Sequence, residues 1–243
     1  PSVYKAQVLA SNYQPLWFAT LANHNIPTTL TLVGPEMTAP ELDDYQNLFS
    51  KNTQVSNIAS LVITNSLKHL TPGLHIYYFN GDDNYQYELF IDALLLSQRH
   101  KQDKDNIFIS SIGNNDRKSG LSIKPALLIA PNGNKETVNY LTSQMDIQPT
   151  IVKNWLGCDL PSIKYASGDD INQLTDNRVI ANTMDEGIMV FNKDKSVFID
   201  QNGNFQSYSR QLEAPITISS DFPLMIDGVN FIKRFAKQSQ VAQ

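Results

Sequence analysis

Apolar runs of strand length alternate with stretches of helical period up to about residue 175, and short alternating runs take over after that point. TTLTLVG (28–34) is the first strand-like run. It follows residues 13–23, where Leu16, Trp17, Thr20 and Leu21 share one helical face, and Pro27 marks the junction. The spacing of Val55, Ile58, Ala59 and Val62 predicts a helix over 55–70, closed by Thr71-Pro72-Gly73. LHIYYFNG then reads as a buried strand. Residues 85–98 place Leu89, Asp92, Ala93 and Leu96 at helical spacing, and the charged stretch RHKQDKDN leads to IFISSIG (107–113), a second β-α-β unit. A polar loop, NNDRKSG, precedes KPALLIAP, whose continuous apolar centre suits a strand buried on both faces. Residues 135–144 and 147–156 predict two short helices.

From Arg178 the pattern changes. VIANT, GIMVFNKD, SVFID and FQSYS are short runs separated by turn residues, and Asn202-Gly203 is a strong hairpin signal. A small antiparallel meander is expected, followed by a helix over about 221–238. In that helix Phe222, Met225, Val229, Ile232 and Phe235 form the predicted apolar side, with Lys233, Arg234 and Lys237 opposite. Together these elements predict an α/β fold with a mostly parallel sheet flanked by helices, plus a small C-terminal antiparallel sheet and terminal helix. A core over 1–175 and a C-terminal subdomain over 176–243 are expected to pack as one unit.

Composition narrows the classes. The 243 residues are 41% hydrophobic and 9% aromatic, a globular balance, with only 18% charged. Nineteen basic against 24 acidic side chains leave a net charge of −5, so no global basic field draws nucleic acid, and any anion-binding surface is local. No apolar run reaches the 18 or so residues of a transmembrane helix, and PSVYKAQVLA lacks the pattern of a signal peptide, so the chain reads as soluble. The single cysteine, Cys158, excludes an internal disulfide. A start at Pro1 without Met is what processing, or a piece of a longer protein, would produce.

Most catalytic signatures are absent: there is no phosphate loop, no His-Glu-x-x-His, no Cys-x-x-Cys and no Gly-x-Ser-x-Gly. His24, His69, His75 and His100 lie in different segments and read as structural. Asp82-Asp83 follows a strand's carboxyl end, where open α/β sheets bind ligands, but Gly81-Asp82-Asp83-Asn84 serves equally as a turn and helix N-cap, the preferred reading. Asp200-x-Asn202-x-Asn204 begins like a calcium loop, yet its Gly is misplaced and no Glu stands at the twelfth position, so it reads as a hairpin turn. The loop 114–120, with Asn114, Arg117 and Lys118, can hold an anion or be a solvated loop. Together with Asn80, Ser110 and Ser111 it defines a candidate ligand cleft above the strand ends. Lys233, Arg234 and Lys237 can meet anionic lipid headgroups or oppose the helix dipole.

MDIQPTIVKNWLGCDLP (145–161) is similar to a stretch near the end of the catalytic domain of sulfatases and their alkaline-phosphatase relatives, where an Asp, a Pro-Thr pair and a small-residue turn precede a Pro. KPALLIAPNG, some twenty residues earlier, resembles the strand those proteins carry before it. YASGDDI (165–171) looks like the turn that leads to their C-terminal subdomain. Within the superfamily, PLWFATLANHNIPTTLTLVG, LHIYYFNG and SVFIDQNGNFQSYSRQ resemble the periplasmic part of YejM-type (PbgA-type) inner-membrane proteins most closely.

The resemblance also marks a departure. In active sulfatases the strand matching IFISSIG ends in Ser-Asp-His-Gly, whose Asp and His sit at the metal site. Here Ser110 and Gly113 are kept, while Ser111 stands for the Asp and Ile112 for the His. A neutral hydroxyl and an alkyl chain supply neither an anionic oxygen nor an imidazole nitrogen. The early strand with paired acids and the nucleophile helix of those enzymes match nothing in this chain. The resemblance therefore implies no catalytic residues, no metal and no cofactor. It implies a catalytically inactive sulfatase-like module, periplasmic and tethered to the inner membrane by a segment outside this chain. Such a module would bind envelope lipid or an inner-membrane protein in lipopolysaccharide and outer-membrane lipid homeostasis. The alternative is a metal-dependent sulfate or phosphate ester hydrolase, or a phosphoryl transferase, whose nucleophile lies in an N-terminal segment outside this chain.

Overall fold

The computed structural model describes residues 16–34, 48–56, 58, 60–79, 84–100, 105–111, 126–131, 137–184, 186–209, 215–216 and 222–241. The chain divides into two compact units, Pro1–Asp105 and Asn106–Gln243. The fold is mixed α/β, with a parallel sheet in the first unit and an antiparallel sheet and terminal helix in the second.

The first unit is organised around β1 (Thr28–Val33), which pairs in parallel with β2 (Lys51–Val55) on one side and β3 (Leu74–Phe79) on the other. Central position explains its composition: Leu30, Leu32 and Val33 are buried. A reciprocal knot fixes the approach to β2, because Ser50 N–H donates to Thr28 Oγ1, Ser50 Oγ donates to the Thr28 carbonyl, and Thr28 N–H donates to Ser50 Oγ. Helix α1 (Leu16–Asn23) buries Phe18 and Leu21. Helix α2 spans Ser60–Lys68, so the helix expected over 55–70 starts later, because Lys51–Val55 is taken by an edge strand. Helix α3 (Asn84–His100) is the one expected over 85–98, rotated from the predicted face. Phe90, Ala93, Leu94 and Ser97 point inward and Leu96 is exposed. Phe90 draws it onto the strand, its ring 4.6 Å from Tyr77 and 5.2 Å from Phe79.

In the second unit β4 (Ile107–Ser110) and β5 (Ala126–Ile129) pair antiparallel, in the register Ile107 to Ile129 and Ser110 to Ala126. The described partner of β4 within its unit is therefore the antiparallel β5, where the β-α-β reading of IFISSIG expects a parallel neighbour. An antiparallel neighbour needs only a loop between strands, whereas a parallel one needs a crossover. Ala126 and Leu127 are exposed, so the apolar run is not covered on both faces. The helix expected over 135–144 is not formed in its described part: 137–143 is irregular, and a single 3₁₀ turn covers Gln144–Asp146. α4 (Ile147–Thr150) follows and runs into a π-helical turn over Ile151–Trp155, matching the second expected short helix.

The meander is β6 (Ile180–Met184), β7 (Gly187–Phe191), β8 (Lys195–Asp200), β9 (Phe205–Ser209) and β10 (Pro215–Ile216), each antiparallel to the next. Helix α5 (Phe222–Val241) packs on it around Ile180, Ala181, Val190, Val197, Leu224 and Phe231. Gly228 permits this approach, since a Cβ there would lie 2.6 Å from Val190 Cγ1 and closer still to Cγ2. The buried face of α5 is thus Leu224, Gly228 and Phe231, with Met225 and Ile232 partly buried at its edge. Phe222 and Val229, expected on the core side, are instead exposed.

Candidate functional site

The site is built on Asp146, which is fully buried. Its carboxylate caps its own turn: Ser143 N–H donates to Oδ2 at 2.7 Å, while Ser143 Oγ accepts from Met145 N–H at 3.3 Å. The Asp169 amide donates to Oδ1 at 2.9 Å. Arg178 completes the set as a two-pronged donor, with Nη1 on Oδ2 at 2.6 Å and Nη2 on Oδ1. Arg178 Nη1 also donates to the Leu141 carbonyl at 2.8 Å. One carboxylate therefore ties the 143–146 turn, the 169–171 segment and the entry to β6.

Thr150 repeats the logic one turn on, donating from Oγ1 to the Asp146 carbonyl at 2.7 Å and accepting from Ile171 N–H at 3.0 Å. Gly168 has no room for a side chain, because a Cβ would meet Met145 O and lie 2.6 Å from Asp146 Oδ1. The two sequence segments singled out above, 145–161 and 165–171, are thus the two halves of one hydrogen-bonded node.

A cleft of about 400 Å³ opens beside this node, with Lys153, Tyr165, Asp169, Asp170 and Arg178 in its lining. Asp170 is buried and caps the Ile171–Gln173 turn, accepting on Oδ1 from Asn172 N–H and from Asn154 Nδ2 at 2.8 Å. Lys153 Nζ stands 3.9 Å from Asp170 Oδ2. Asp169 accepts from Ser162 Oγ at 3.2 Å and lies 4.0 Å from Arg178 Nη2. Burial raises the Tyr165 phenol above its usual range, and the Cys158 and Asp170 side chains add to the rise. The charges here are largely committed to one another. Among the described residues no histidine lines the cleft, and the hydroxyl held by a carboxylate in its lining is Ser162 on Asp169. The arrangement can hold a polar ligand.

Of the cleft predicted above the strand ends, Ser110 closes β4 and Ser111 follows it, both exposed. The Ser111 carbonyl accepts from Gln144 Nε2 at 3.1 Å, which links this strand end to the turn before Asp146. Asn80, Asp82, Asp83, Ile112, Asn114, Arg117 and Lys118 lie outside the described residues. Lys233 is exposed on α5; Arg234 and Lys237 lie in the same helix, with their side chains outside the described set. Among the described residues no group of three or more His, Cys, Asp or Glu comes together to hold a metal ion.

The remaining motifs follow their structural readings. His75 bridges Thr29 Oγ1 at 2.9 Å and the Thr71 carbonyl at 2.8 Å. Asp200 organises the β8–β9 hairpin, accepting from Asn202 N–H and Asn204 N–H on Oδ1 and from Asn204 Nδ2 on Oδ2, with Gly203 at φ +83°. The node's key cation was missed: Arg178 directly precedes an apolar strand, and nothing in its flanking residues marks it as buried.

The fold matches a crystal structure of a protein in the alkaline phosphatase superfamily from Vibrio parahaemolyticus, with a TM-score of 0.64 over 91% of this chain and 68% of that one. The sequences are 11% identical, so the likeness is one of fold. No protein-family model matches the sequence, and neither does any curated protein. Among the described residues no helix is long and apolar enough to cross a membrane.

Proposed function

We propose that this chain is a sulfatase-like module without ester-cleaving activity, the periplasmic part of a YejM-type protein tethered to the inner membrane. In this reading it serves cell-envelope lipid homeostasis by binding an envelope lipid or a membrane-protein partner. The observation that carries the proposal is Ser111, an exposed neutral side chain at the position where the resembled enzymes place an acidic metal ligand. The groups described beside it, the Ser110 hydroxyl and the Gln144 side-chain amide on the Ser111 carbonyl, are neutral and supply no carboxylate for a divalent cation. The 145–161 motif supports the same reading: its one buried acid, Asp146, is filled by Arg178 and two backbone amides. Without a cation, a sulfate or phosphate ester loses both nucleophile activation and charge neutralisation at its oxygens.

The test is direct. Mn²⁺, Zn²⁺, Ca²⁺ and Mg²⁺ are added in turn during thermal melts, and aryl sulfate and aryl phosphate esters are offered as substrates. The expected result is an unchanged Tm and no turnover. A rise in Tm with one cation, by ligand linkage, together with turnover that needs it, would overturn the proposal in favour of a metal-dependent hydrolase.

A further inference from the structure

Helix α5 has two unlike faces. At about 100° per residue, Leu224, Gly228 and Phe231 fall together and pack on the meander, while Phe222, Ile226, Val229 and Lys233 fall on the opposite side, within roughly 60° of one another. The opposite side is open: Phe222 is 59% exposed, Ile226 58% and Val229 38%. Phe205, at the start of β9 and 37% exposed, extends the apolar patch, its ring 6.1 Å from that of Phe222. The stripe ends in positive charge. Lys233 is exposed on it, and Arg234 and Lys237 follow in the same helix. An apolar stripe that runs into lysine and arginine is the pattern of a helix lying in a membrane–water interface, with apolar side chains among the acyl chains and cations among the headgroups.

We infer that the exposed face of α5 is a docking surface for an anionic lipid bilayer. The occupant is read from the order of the stripe: an apolar stretch from Phe222 to Val229 suits acyl chains, and the Lys233 that ends it suits anionic headgroups, a pairing that a bilayer offers side by side. This inference deepens the lipid-binding part of the proposed function and rests on it only for which membrane is met. Ester turnover tests inactivity and vesicle binding tests docking, so either can fail alone.

The experiment is co-sedimentation of the chain with mixed phosphatidylglycerol–phosphatidylcholine vesicles and with pure phosphatidylcholine vesicles, at low and high salt. Binding is expected to the anionic vesicles, to weaken with salt, and to be small on the neutral ones. Each charge near such a surface changes partitioning about fivefold, so Lys233→Glu, a change of two charges, is expected to lower it roughly twenty-five-fold. Ile226→Asp is expected to lower it at least as far, with the melt of either variant unchanged because both positions are exposed. Amide exchange in 222–233 should slow on anionic vesicles in the parent chain. No preference for anionic vesicles, binding that survives both variants, or protection confined to other segments would each overturn the inference. So would a concentration-dependent dimer, formed without lipid and abolished by Ile226→Asp.

Discussion

Replacing Arg178 by Met should destabilise the second unit by about 3–5 kcal/mol, the usual cost of removing one partner from a buried ion pair. The structure yields the same figure. Asp146 has no exposure and accepts four hydrogen bonds, from Ser143 N–H, Asp169 N–H and the two Arg178 nitrogens. The substitution deletes two charge-assisted bonds, each contributing about 1.5–3 kcal/mol, and leaves the Leu141 carbonyl without that donor. Met fills the volume of the stem, so little is added for a cavity. Unfolding in urea can be followed by Trp155, which ends the π-helical turn beside the node, in a Trp17→Phe background that silences the only other tryptophan. A companion Asp146→Asn and the double variant close a cycle. The double variant should cost at least about 2 kcal/mol less than the sum of the singles, because each single strands a charge that the other removes. Exchange at the Asp169 and Ile171 amides should accelerate in step. Singles that cost less than about 1 kcal/mol, or that add within about 0.5 kcal/mol, would refute the claim that this pair holds the node.

Two further substitutions and one titration probe the same architecture. Gly168→Ala must push Met145 O or Asp146 Oδ1 aside, and a loss of roughly 2–4 kcal/mol in urea melts is expected, with a loss below about 0.5 kcal/mol contradicting the packing. Gly228→Ala should cost about 1–3 kcal/mol by overpacking Val190, and Val190→Ala in the same chain should recover part of it; strict additivity of the two would show that α5 does not approach β7 so closely. The Asn204 side-chain amide, seconded by the Asn204, Asn202 and Gly203 backbone amides, outweighs desolvation and holds the Asp200 carboxyl below its ordinary range. A lowered folded pKa contributes stability above the unfolded value of 3.8, lost as pH falls through the folded value. Protection of the Asn202 and Asn204 amides, taken relative to their intrinsic exchange rates, should therefore fall as pH drops below 3.8 in the parent chain. In Asp200→Asn that protection should not vary with pH over the same range, and identical pH profiles would reject the assignment.

Periodicity located the helix at Asn84–His100, though not which of its faces is dry, because Leu95 and Leu96 are exposed, and it located the meander with its Asn202-Gly203 turn. It failed where burial is not periodic. Lys51–Val55 is KNTQV, an edge strand almost wholly exposed, and its polar side chains carry no apolar signal. Strand direction is also silent in composition, so Ile107–Ser110 and Ala126–Ile129 read as parallel although they pair antiparallel. On α5 the apolar residues run around most of the helix, and only Gly228 against Val190 decides which side is covered. For the candidate site, the motif residues 145–161 and 165–171 were legible as a pair, but their partner Arg178 was not. Its role rests on a contact with Asp146, 32 residues earlier.

What the node does limits what the motif can do. An ionised carboxylate offers about four lone-pair sites, and Asp146 spends all of them on Arg178, Ser143 and Asp169 within a site closed to water. A carboxylate in that state has no orbital left for a substrate proton or a cation. Segment 145–161 therefore works here as a clamp, holding the π-helical turn and the 168–171 loop to the start of β6. Through β6 and β7 that clamp supports the sheet on which α5 lies, and so the exposed stripe from Phe222 to Lys233. Loosening the clamp by Arg178→Met should then weaken vesicle binding only in proportion to the unfolded fraction. Ile226→Asp should abolish binding with the clamp intact. A variant of Arg178 that stays folded yet loses vesicle binding would show instead that the cleft beside the node, and not the helix face, meets the lipid.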